Sequence, residues 1–432
     1  MGNQIVININ RLGPVRNARI TLGQFMIFSG ASSLGKSYTA MLVHYVYRVL
    51  SGEELIEYFK QKQLSAGDVS RFDDIAVHEI FSVETADLLE WVHQQAQVYL
   101  RKMLSYGDLD MDVSFEFPKL PKELHFYYHH IETVEQNMPN ITPRGSIQIN
   151  NSGTGTSFSR SMLSQVGETI YAQVLSIYLS RVFKTTFMGA TFFLPPSRGA
   201  IMQVPFGSQA KLFGSAPMYF EFLETFANIR TFKEKLPSTI DTSMVLEGKF
   251  EEKDGELIYN YHDVPIPISA TASSIKEIAP FVMLAKVGLA KYFSTLFEEP
   301  ESHLHPEMQR AVVDVMAQML QRGMHLQITT HSDYVLRRIN DLIYLDKIRD
   351  AWTEGSKYYA FCEKYGLDGS ITIDPEEVKA YFFKAEENGL SSVIEQNLLD
   401  GVPFDTFEKV IDTDFPISAD IYEQFENLEK KS

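Results

Sequence analysis

The stretch Phe28–Ala40, FSGASSLGKSYTA, decides the fold class of this chain. Gly30 is followed after four residues by Gly35, Lys36 and Ser37, which is the spacing of a loop that wraps phosphate groups. Glycines let the backbone approach phosphate closely, the lysine ammonium neutralises its charge, and the serine hydroxyl is a ligand for Mg²⁺. A glycine turn with an incidental lysine is the competing interpretation, and the flanking residues decide between the two.

The residues on both sides of the loop have the pattern that a phosphate loop requires. Residues 24–28, QFMIF, form an apolar run typical of a buried strand, and residues 37–50, SYTAMLVHYVYRVL, have apolar side chains at helical spacing. A loop between a strand and a helix start presents its backbone N–H groups, including those of Ser32 and Ser33, to an anion. This context favours the phosphate loop and predicts an α/β fold.

Composition limits the class of protein. The chain has 432 residues, 44% of them hydrophobic, so it is able to bury a large core. Its formal net charge of -17 disfavours tight nonspecific binding to DNA. The single cysteine, Cys362, excludes an internal disulfide framework and suits a reducing compartment, so we expect a cytoplasmic protein. No uncharged apolar stretch is long enough to span a bilayer, and no membrane association is expected.

A second stretch, residues 294–306, STLFEEPESHLHP, places adjacent carboxylates at the end of an apolar run. If the run is a buried strand, Glu298 would bind the Mg²⁺ ion and Glu299 would act as the general base that polarises an attacking water. Two glutamates at an ordinary helix start on the surface are the alternative interpretation.

The tail of this stretch resembles the segment after the Walker B strand in ABC-class ATPases of the soluble RecF, SMC and OLD type. The resemblance implies ATP and Mg²⁺ as cofactors, and a D-loop at Glu301–Pro306. It also implies that His331, at the end of LQITTH, is the switch histidine that contacts the γ-phosphate or orients the water. Metal ligation by the pair His303 and His305 is an alternative for these two side chains.

The same resemblance implies a signature motif at the start of a helix, used by a partner subunit to complete the ATP site. TASSIKEIAP, residues 271–280, lies where the family has it, with Ser273 at the signature serine and Ser274 at the first glycine position. Ile275 replaces the second glycine of the family pattern. A serine pair that caps an ordinary helix is the competing interpretation.

The sequence resembles most closely the OLD-like branch of AAA-domain ABC ATPases, in a standalone form without a Toprim domain. The run EEPE and the Leu-Pro-x-x-Arg element in FFLPPSRGAI, residues 192–201, carry this resemblance. Two roles are open for Arg198 of that element: contact with phosphate or packing between lobes. The late Asp-x-Asp pair, Asp412 and Asp414, lacks the upstream strand and glutamate of a Toprim fold, so no intrinsic nuclease is expected.

We therefore expect an ABC-type ATPase head, a mixed sheet around the phosphate loop, with a large, mainly helical inserted lobe. The expected divisions are residues 1–50 and 185–345 for the head, 51–184 for the lobe and 346–432 for an α+β extension. A hairpin turning at Lys253-Asp254-Gly255 is expected before the signature helix.

The resemblance implies a head-to-tail dimer or higher oligomer in which ATP state sets the subunit interface. Standalone relatives occur in anti-phage systems such as PARIS and Septu, so we expect a sensor or scaffold that controls a separate effector, such as a Toprim or HNH nuclease or a toxin. The alternative is a RecF- or SMC-like DNA repair or clamp ATPase, which the acidic charge and the lack of heptads disfavour. An ABC transporter subunit is consistent with fewer of these sequence features than the clamp ATPase.

Overall fold

The structure is a computed structural model. It describes residues 4–402, except 68, 70–71, 73–75, 132–143, 151, 153–154, 184, 186–187, 205, 214–215, 236–237, 254, 289, 353 and 399–400, together with residues 416, 417 and 421. The expected Asp412–Asp414 pair and the hairpin-turn residue Asp254 lie outside the described residues.

The strands are, in chain order, β1 Val6–Leu12, β2 Val15–Thr21, β3 Phe25–Gly30, β4 Val77–Glu84, β5 Met111–Glu116, β6 Glu123–Ile131, β7 Arg144–Ile149, β8 Gly155–Ser159, β9 Ala190–Leu194, β10 Lys249–Lys253, β11 Glu256–Tyr261, β12 Val264–Pro267, β13 Phe293–Glu298, β14 His325–Thr330, β15 Val378–Ala385 and β16 Ser391–Glu395.

The α-helices are α1 Lys36–Ser51, α2 Leu55–Gln61, α3 Thr85–Met103, α4 Arg160–Val182, α5 Arg198–Met202, α6 Phe206–Phe213, α7 Pro217–Lys235, α8 Ser273–Ala285, α9 Pro306–Gln321, α10 Asp333–Ala351 and α11 Gly355–Lys364. The mixture of a large sheet and covering helices is the predicted α/β class.

One nine-stranded sheet organises the head, in the order β5-β1-β2-β16-β15-β3-β14-β13-β9. The neighbours β15, β3, β14, β13 and β9 run parallel, so their carboxyl ends meet at one edge. Strands β3, β13 and β14 are buried along their whole length, as expected for parallel strands covered on both faces. The phosphate loop and the carboxylate pair therefore come out of two buried strands that flank β14, on the same side of the sheet.

The segment after residue 345 contributes to this sheet and is not only an appendage. Strand β15 pairs in parallel with β3, with Phe383 opposite Gly30, and β16 runs antiparallel to β15. The strand that carries the phosphate loop is thus held between β14 and β15. Sequence order alone did not indicate this pairing, because more than three hundred residues separate β3 from β15.

The inserted lobe, residues 51–184, holds helices as expected but also five strands that the sequence analysis did not predict. Strands β4, β6, β7 and β8 form an antiparallel sheet, and β5 joins the edge of the main sheet beside β1. The strands were missed because aromatic and histidine side chains, as in ELHFYYHHI of β6, occupy both faces and blur the alternation of apolar and polar residues.

A small antiparallel sheet precedes α8, where the hairpin was expected. Strands β10 and β11 pair between Phe250 and Tyr259, and β12 completes the sheet. Across the part of the chain that the structure describes, no helix is both long and apolar enough to cross a membrane.

Candidate functional site

The phosphate loop has the backbone that its glycines were expected to allow. The φ angles of Gly30, Ser33 and Gly35 are 126°, 65° and 90°, all in the region that favours glycine. A Cβ on Gly30 would lie 2.4 Å from the carbonyl oxygen of Phe383 in β15, so no larger residue fits there. The loop ends at Lys36, the first residue of α1, and that helix start has no side-chain cap. Its N–H groups are therefore available to an anion.

The ammonium of Lys36 lies inside the loop. Its Nζ donates to the carbonyl oxygens of Gly30 at 2.9 Å and Ala31 at 2.6 Å. Burial lowers the pKa of Lys36, and the nearby carboxylates of Glu299, Glu301 and Glu298 oppose this shift. The buried cation thus lies in the field of three acidic side chains at and just after the end of β13.

Glu298, the last residue of β13, is 1% exposed. Its Oε2 accepts a hydrogen bond from Thr329 Oγ1 at 3.5 Å. Burial raises the pKa of Glu298 to about 7, the nearby Ser37 hydroxyl opposes this, and the charge on Glu299 adds to it. Within the described part of the chain, its Oε1 atom is buried without a hydrogen-bond partner.

Ser37 and Glu298 fit a Mg²⁺ ion. A hydroxyl and a carboxylate are oxygen ligands of the kind that Mg²⁺ prefers, and the unpaired Oε1 of Glu298 is an acceptor whose burial a cation would compensate. The predicted metal ligands are therefore adjacent, and their polar atoms suit the ion.

Glu299, the residue after the end of β13, lies in a sharp turn of the chain. Its φ is 44°, and its N–H donates to the carbonyl of Thr329 at 3.0 Å, which fastens the turn to the end of β14. Its Oε2 accepts from Ser302 Oγ at 3.2 Å. The left-handed backbone at Glu299 turns the chain away from the sheet at the point where the predicted base is needed.

His331 is linked to the carboxylates through Glu301. Oε1 of Glu301 accepts from the N–H of His331 and from Thr330 Oγ1, both at 2.9 Å, and lies 3.5 Å from His331 Nδ1. Glu301 is 7% exposed, and burial raises its pKa. This carboxylate was part of the quoted motif but received no role from sequence reasoning. Its signal was a third acidic residue in a run that precedes two histidines.

Two cavities meet at Glu299. One, of about 290 Å³, is lined by the phosphate loop, including Ser32, Ser33, Lys36 and Ser37. The other, of about 580 Å³, is lined by Glu301, Ser302, His303 and His331 among others. A third cavity of about 430 Å³, between α8 and β10, contains none of the predicted site residues. The structure thus places the phosphate loop and His331 in two cavities that share Glu299, whereas Glu298 lines neither of them.

Arg198 lies against the backbone of the two carboxylates and lines neither cavity, although a phosphate contact was one expectation. The side chain is fully buried, and its guanidinium donates to the carbonyls of Glu277, Pro195 and Glu298 at 2.8–2.9 Å and to that of Glu299 at 3.4 Å. Because these carbonyls occupy donors of the guanidinium, the geometry favours packing, one of the two expected roles of Arg198, over contact with phosphate.

Ser273 and Ser274 line neither cavity of the carboxylate region. They begin α8, whose N-cap residue Ala272 provides no side-chain hydrogen bond. The capping interpretation of the serine pair is therefore not supported by a cap contact. Ser273 is exposed, so its helix end faces away from the core.

The two histidines after the carboxylates do not form a metal centre. His303 borders the larger cavity, whereas His305 is the N-cap of α9 with a 71% exposed side chain. Among the residues that the structure describes, no group of three or more His, Cys, Asp or Glu side chains is placed to hold a metal ion.

The chain is similar to one family of known ATPase domains over part of its length. Residues 209–336 match the family described as AAA ATPase domain, which is under a third of the chain. The matched part contains Ser273, both carboxylates and His331, and it excludes the phosphate loop.

Among curated proteins, the chain is similar to the glutamate/aspartate import ATP-binding protein GltL of Escherichia coli, strains K12 and O157:H7. Identity is 24% over 143 residues, which is 32% of this chain and 58% of the relative. The chain thus spans less than two thirds of the relatives that it matches. Both similarities are therefore to proteins described as an ATPase or as ATP-binding.

Among solved structures, the chain is similar to SMC head domains. One is an SmcHead bound to the C-winged helix domain of ScpA, with 12% identity, a TM-score of 0.33, and coverage of 92% of this chain and 98% of that chain. The head domain of Thermotoga maritima SMC has 9% identity, a TM-score of 0.33, and coverage of 92% and 100%. Scores this low add no weight to the motifs and contacts of the site itself.

Proposed function

We propose that this chain is an ATP-hydrolysing ABC-type ATPase that dimerises head to tail and controls a separate effector in bacterial anti-phage defence. The observation that carries the ATPase part is the convergence of Lys36, Ser37, Glu298 and Glu299 at the carboxyl ends of two strands that flank β14. The family resemblance of the motifs supports the finer parts of the proposal.

In the proposed site, each residue of the chain has one task. Lys36 exchanges the two loop carbonyls for phosphate oxygens, and the loop N–H groups bind the same phosphates. Glu299 takes a proton from the attacking water, and His331, oriented by Glu301, contacts the γ-phosphate or orients that water. Ser37 and Glu298 would hold Mg²⁺, which supplies charge neutralisation for the phosphates.

The position of α8 supports a composite site. Its start is exposed, has no side-chain cap and borders neither carboxylate cavity of its own chain. An uncapped helix start favours an anion, so the γ-phosphate bound by a second copy is a suitable partner for Ser273. Hydrolysis would then remove contacts that favour the closed dimer.

Mixing two inactive variants tests the composite site. In a head-to-tail dimer, a Lys36→Ala chain paired with a Ser273→Arg chain leaves one intact site. An equal mixture with random pairing should therefore recover about a quarter of wild-type turnover. The control mixes Lys36→Ala with Glu299→Gln, whose lesions lie in the same half-site, and it should recover none. Absence of rescue at every ratio of the first pair would contradict the composite geometry.

The effector role is tested by purifying the protein together with the products of its neighbouring genes, with and without ATP. A net charge of -17 favours a protein partner over bare DNA. We expect a nuclease or toxin to co-elute in a nucleotide-dependent way. DNA binding that weakens steeply with salt, without such a partner, would favour the RecF- or SMC-like clamp.

A further inference from the structure

Besides its contact with Thr329, the turn that carries the proposed catalytic carboxylate is held by the side chain of Arg198. Arg198, the first residue of α5, donates to the carbonyls of both Glu298 and Glu299, and its guanidinium lies 4.5 Å from the ring centre of Phe297. It therefore contacts three consecutive residues at the end of β13. The direction of the Glu299 side chain depends on this turn, because the Glu299 backbone is in a left-handed conformation.

The same guanidinium is attached to α8. Its Nε donates to the carbonyl of Glu277 at 2.8 Å, and Nη1 lies 3.6 Å from Oε1 of the Glu277 carboxylate. The other oxygen, Oε2, accepts from the N–H of Gly199 at 2.6 Å. A Cβ on Gly199 would lie 2.4 Å from that oxygen, so glycine is required for this close approach. Arg198 and Glu277 are 0% and 1% exposed, so solvent does not weaken the pair.

Glu277 lies one helical turn after Ser273, at the end of α8 that the proposed dimer would use. One continuous path thus runs from the start of α8 through Glu277 and Arg198 to the backbone of Glu298 and Glu299. From Glu277 onward the steps are hydrogen bonds and an ion pair, and all but the contact with the partly buried Glu299 join buried groups.

We propose that Arg198 is a positioning residue that fastens the carboxylate turn to α8, so that contact at the Ser273 end of α8 acts on the geometry of Glu299. This inference rests on the proposed ATPase function for its kinetic consequence. The fastening itself is a property of the nucleotide-free chain. Loss of such a support should disturb the alignment of the base far more than the binding of phosphate at the loop.

The main experiment measures hydrogen exchange in nucleotide-free protein across residues 295–304, which include the N–H groups of Glu299 and Ser302. In Arg198→Met we expect exchange there to be faster by about tenfold or more, because three hydrogen bonds and an ion pair to other segments are lost. The Kd for ATP should stay within about threefold, whereas kcat should fall by about 10²-fold.

Arg338→Met is the matched control. Arg338 is also buried, at 6% exposure, and binds Asp314 with Nε at 2.7 Å and Nη2 at 3.1 Å, but it joins α9 to α10. Its loss should cost comparable stability and leave exchange in residues 295–304 and kcat within about twofold. Equal acceleration of exchange in the two variants, or none in Arg198→Met, would overturn the proposal.

Two milder variants keep the test decisive if Arg198→Met does not fold. Arg198→Lys retains the charge but cannot reach all four carbonyls, and Glu277→Gln retains the acceptor for Gly199 while removing the charge. Both should accelerate exchange at 295–304 by a few fold and lower kcat without raising KM. If the wild-type chain hydrolysed no ATP, the ATPase proposal would fail, while the exchange result would still decide the role of Arg198 as a support.

Discussion

The strand ends around Lys36 and the four-stranded sheet of the inserted lobe are both buried, but with different chemistry. At the strand ends, Lys36, Glu298 and Glu301 are 9% exposed or less, and one oxygen of each carboxylate has no partner among the described residues. In the lobe, Phe126 of β6 packs against the rings of Phe59, Phe81 and Tyr171.

The difference shows where a ligand belongs. Burying an unpaired carboxylate costs free energy, whereas burying an aromatic ring contributes to stability. The sheet of the lobe also buries polar atoms without a partner in the described part of the chain, Nε2 of His129 and Oγ1 of Thr156, but these belong to a hydroxyl and to an imidazole whose pKa is lowered by burial. Carboxylates are costlier to bury unpaired, so the strand ends fit a bound cation while the sheet of the lobe fits a structural core. Four variants or conditions test this contrast.

Lys36→Ala should have the largest effect. The variant removes the cation that neutralises phosphate charge, and we expect ATP binding to fall below detection, by about 10³-fold or more. Calorimetric titration with ATP measures it. Lys347→Ala is the control. Lys347 also donates to a backbone carbonyl, that of Leu398, but it lies in α10 and outside the phosphate loop. Micromolar binding by Lys36→Ala would contradict the assignment of the loop.

Glu299→Gln should keep ATP binding and slow turnover by about 10²–10⁴-fold, as expected for loss of a general base. Steady-state phosphate release measures kcat. Glu221→Gln serves as control, since Glu221 is a largely buried carboxylate whose partners, His44 and Arg48, are away from the site. Near-normal turnover in Glu299→Gln would move the base role to another residue.

The buried carboxyl of Glu298 should make stability depend on pH. Its pKa is about 7 in the folded chain against an ordinary value of 4.5, so between these values the folded chain holds a proton that the unfolded chain has released. The free energy of unfolding should therefore fall as the pH rises from about 4.5 to 7. From this group alone we expect a fall of about 1–3 kcal/mol.

Denaturant unfolding of nucleotide-free protein at several pH values in this range measures how the free energy of unfolding changes with pH. The Glu298→Gln variant should lack the part of this change that comes from the Glu298 carboxyl. Addition of ATP with Mg²⁺ should flatten the slope of the wild type, because a cation favours the ionised carboxylate. Identical slopes in wild type and variant would show that burial does not set this pKa.

Phe126→Leu should have the smallest effect. The variant removes ring contacts in the lobe and should lower the free energy of unfolding by on the order of 1–2 kcal/mol. Because Phe126 lies outside both carboxylate cavities, the Kd for ATP and kcat should stay within about twofold. A tenfold loss of turnover in a folded Phe126→Leu protein would show that the lobe takes part in the chemistry.

Much of the head was predictable because its signals are local. The spacing from Gly30 to Ser37 and the buried strands before the loop and before Glu298 are short patterns, and the structure has these elements within a few residues of the predicted bounds. The meeting of Lys36 with Glu298 and Glu299 also followed, since carboxyl ends of parallel strands share an edge.

The remaining features depend on contacts between distant parts of the chain. The pairing of β3 with β15, and the contact of Arg198 with the carbonyls of Glu298 and Glu299, leave no local pattern. A buried charge within the apolar run of α8 was the one available signal for Glu277. It became informative only when the structure showed its partner.

The position of β15 has a consequence for biosynthesis. The backbone of Gly30 is closed on one side by Phe383, so the phosphate loop lacks part of its frame until the ribosome has made almost the whole head. Closing a contact over such a sequence distance is slow compared with local helix formation. A nascent chain therefore carries its glycine loop through the synthesis of more than three hundred further residues before this frame is complete.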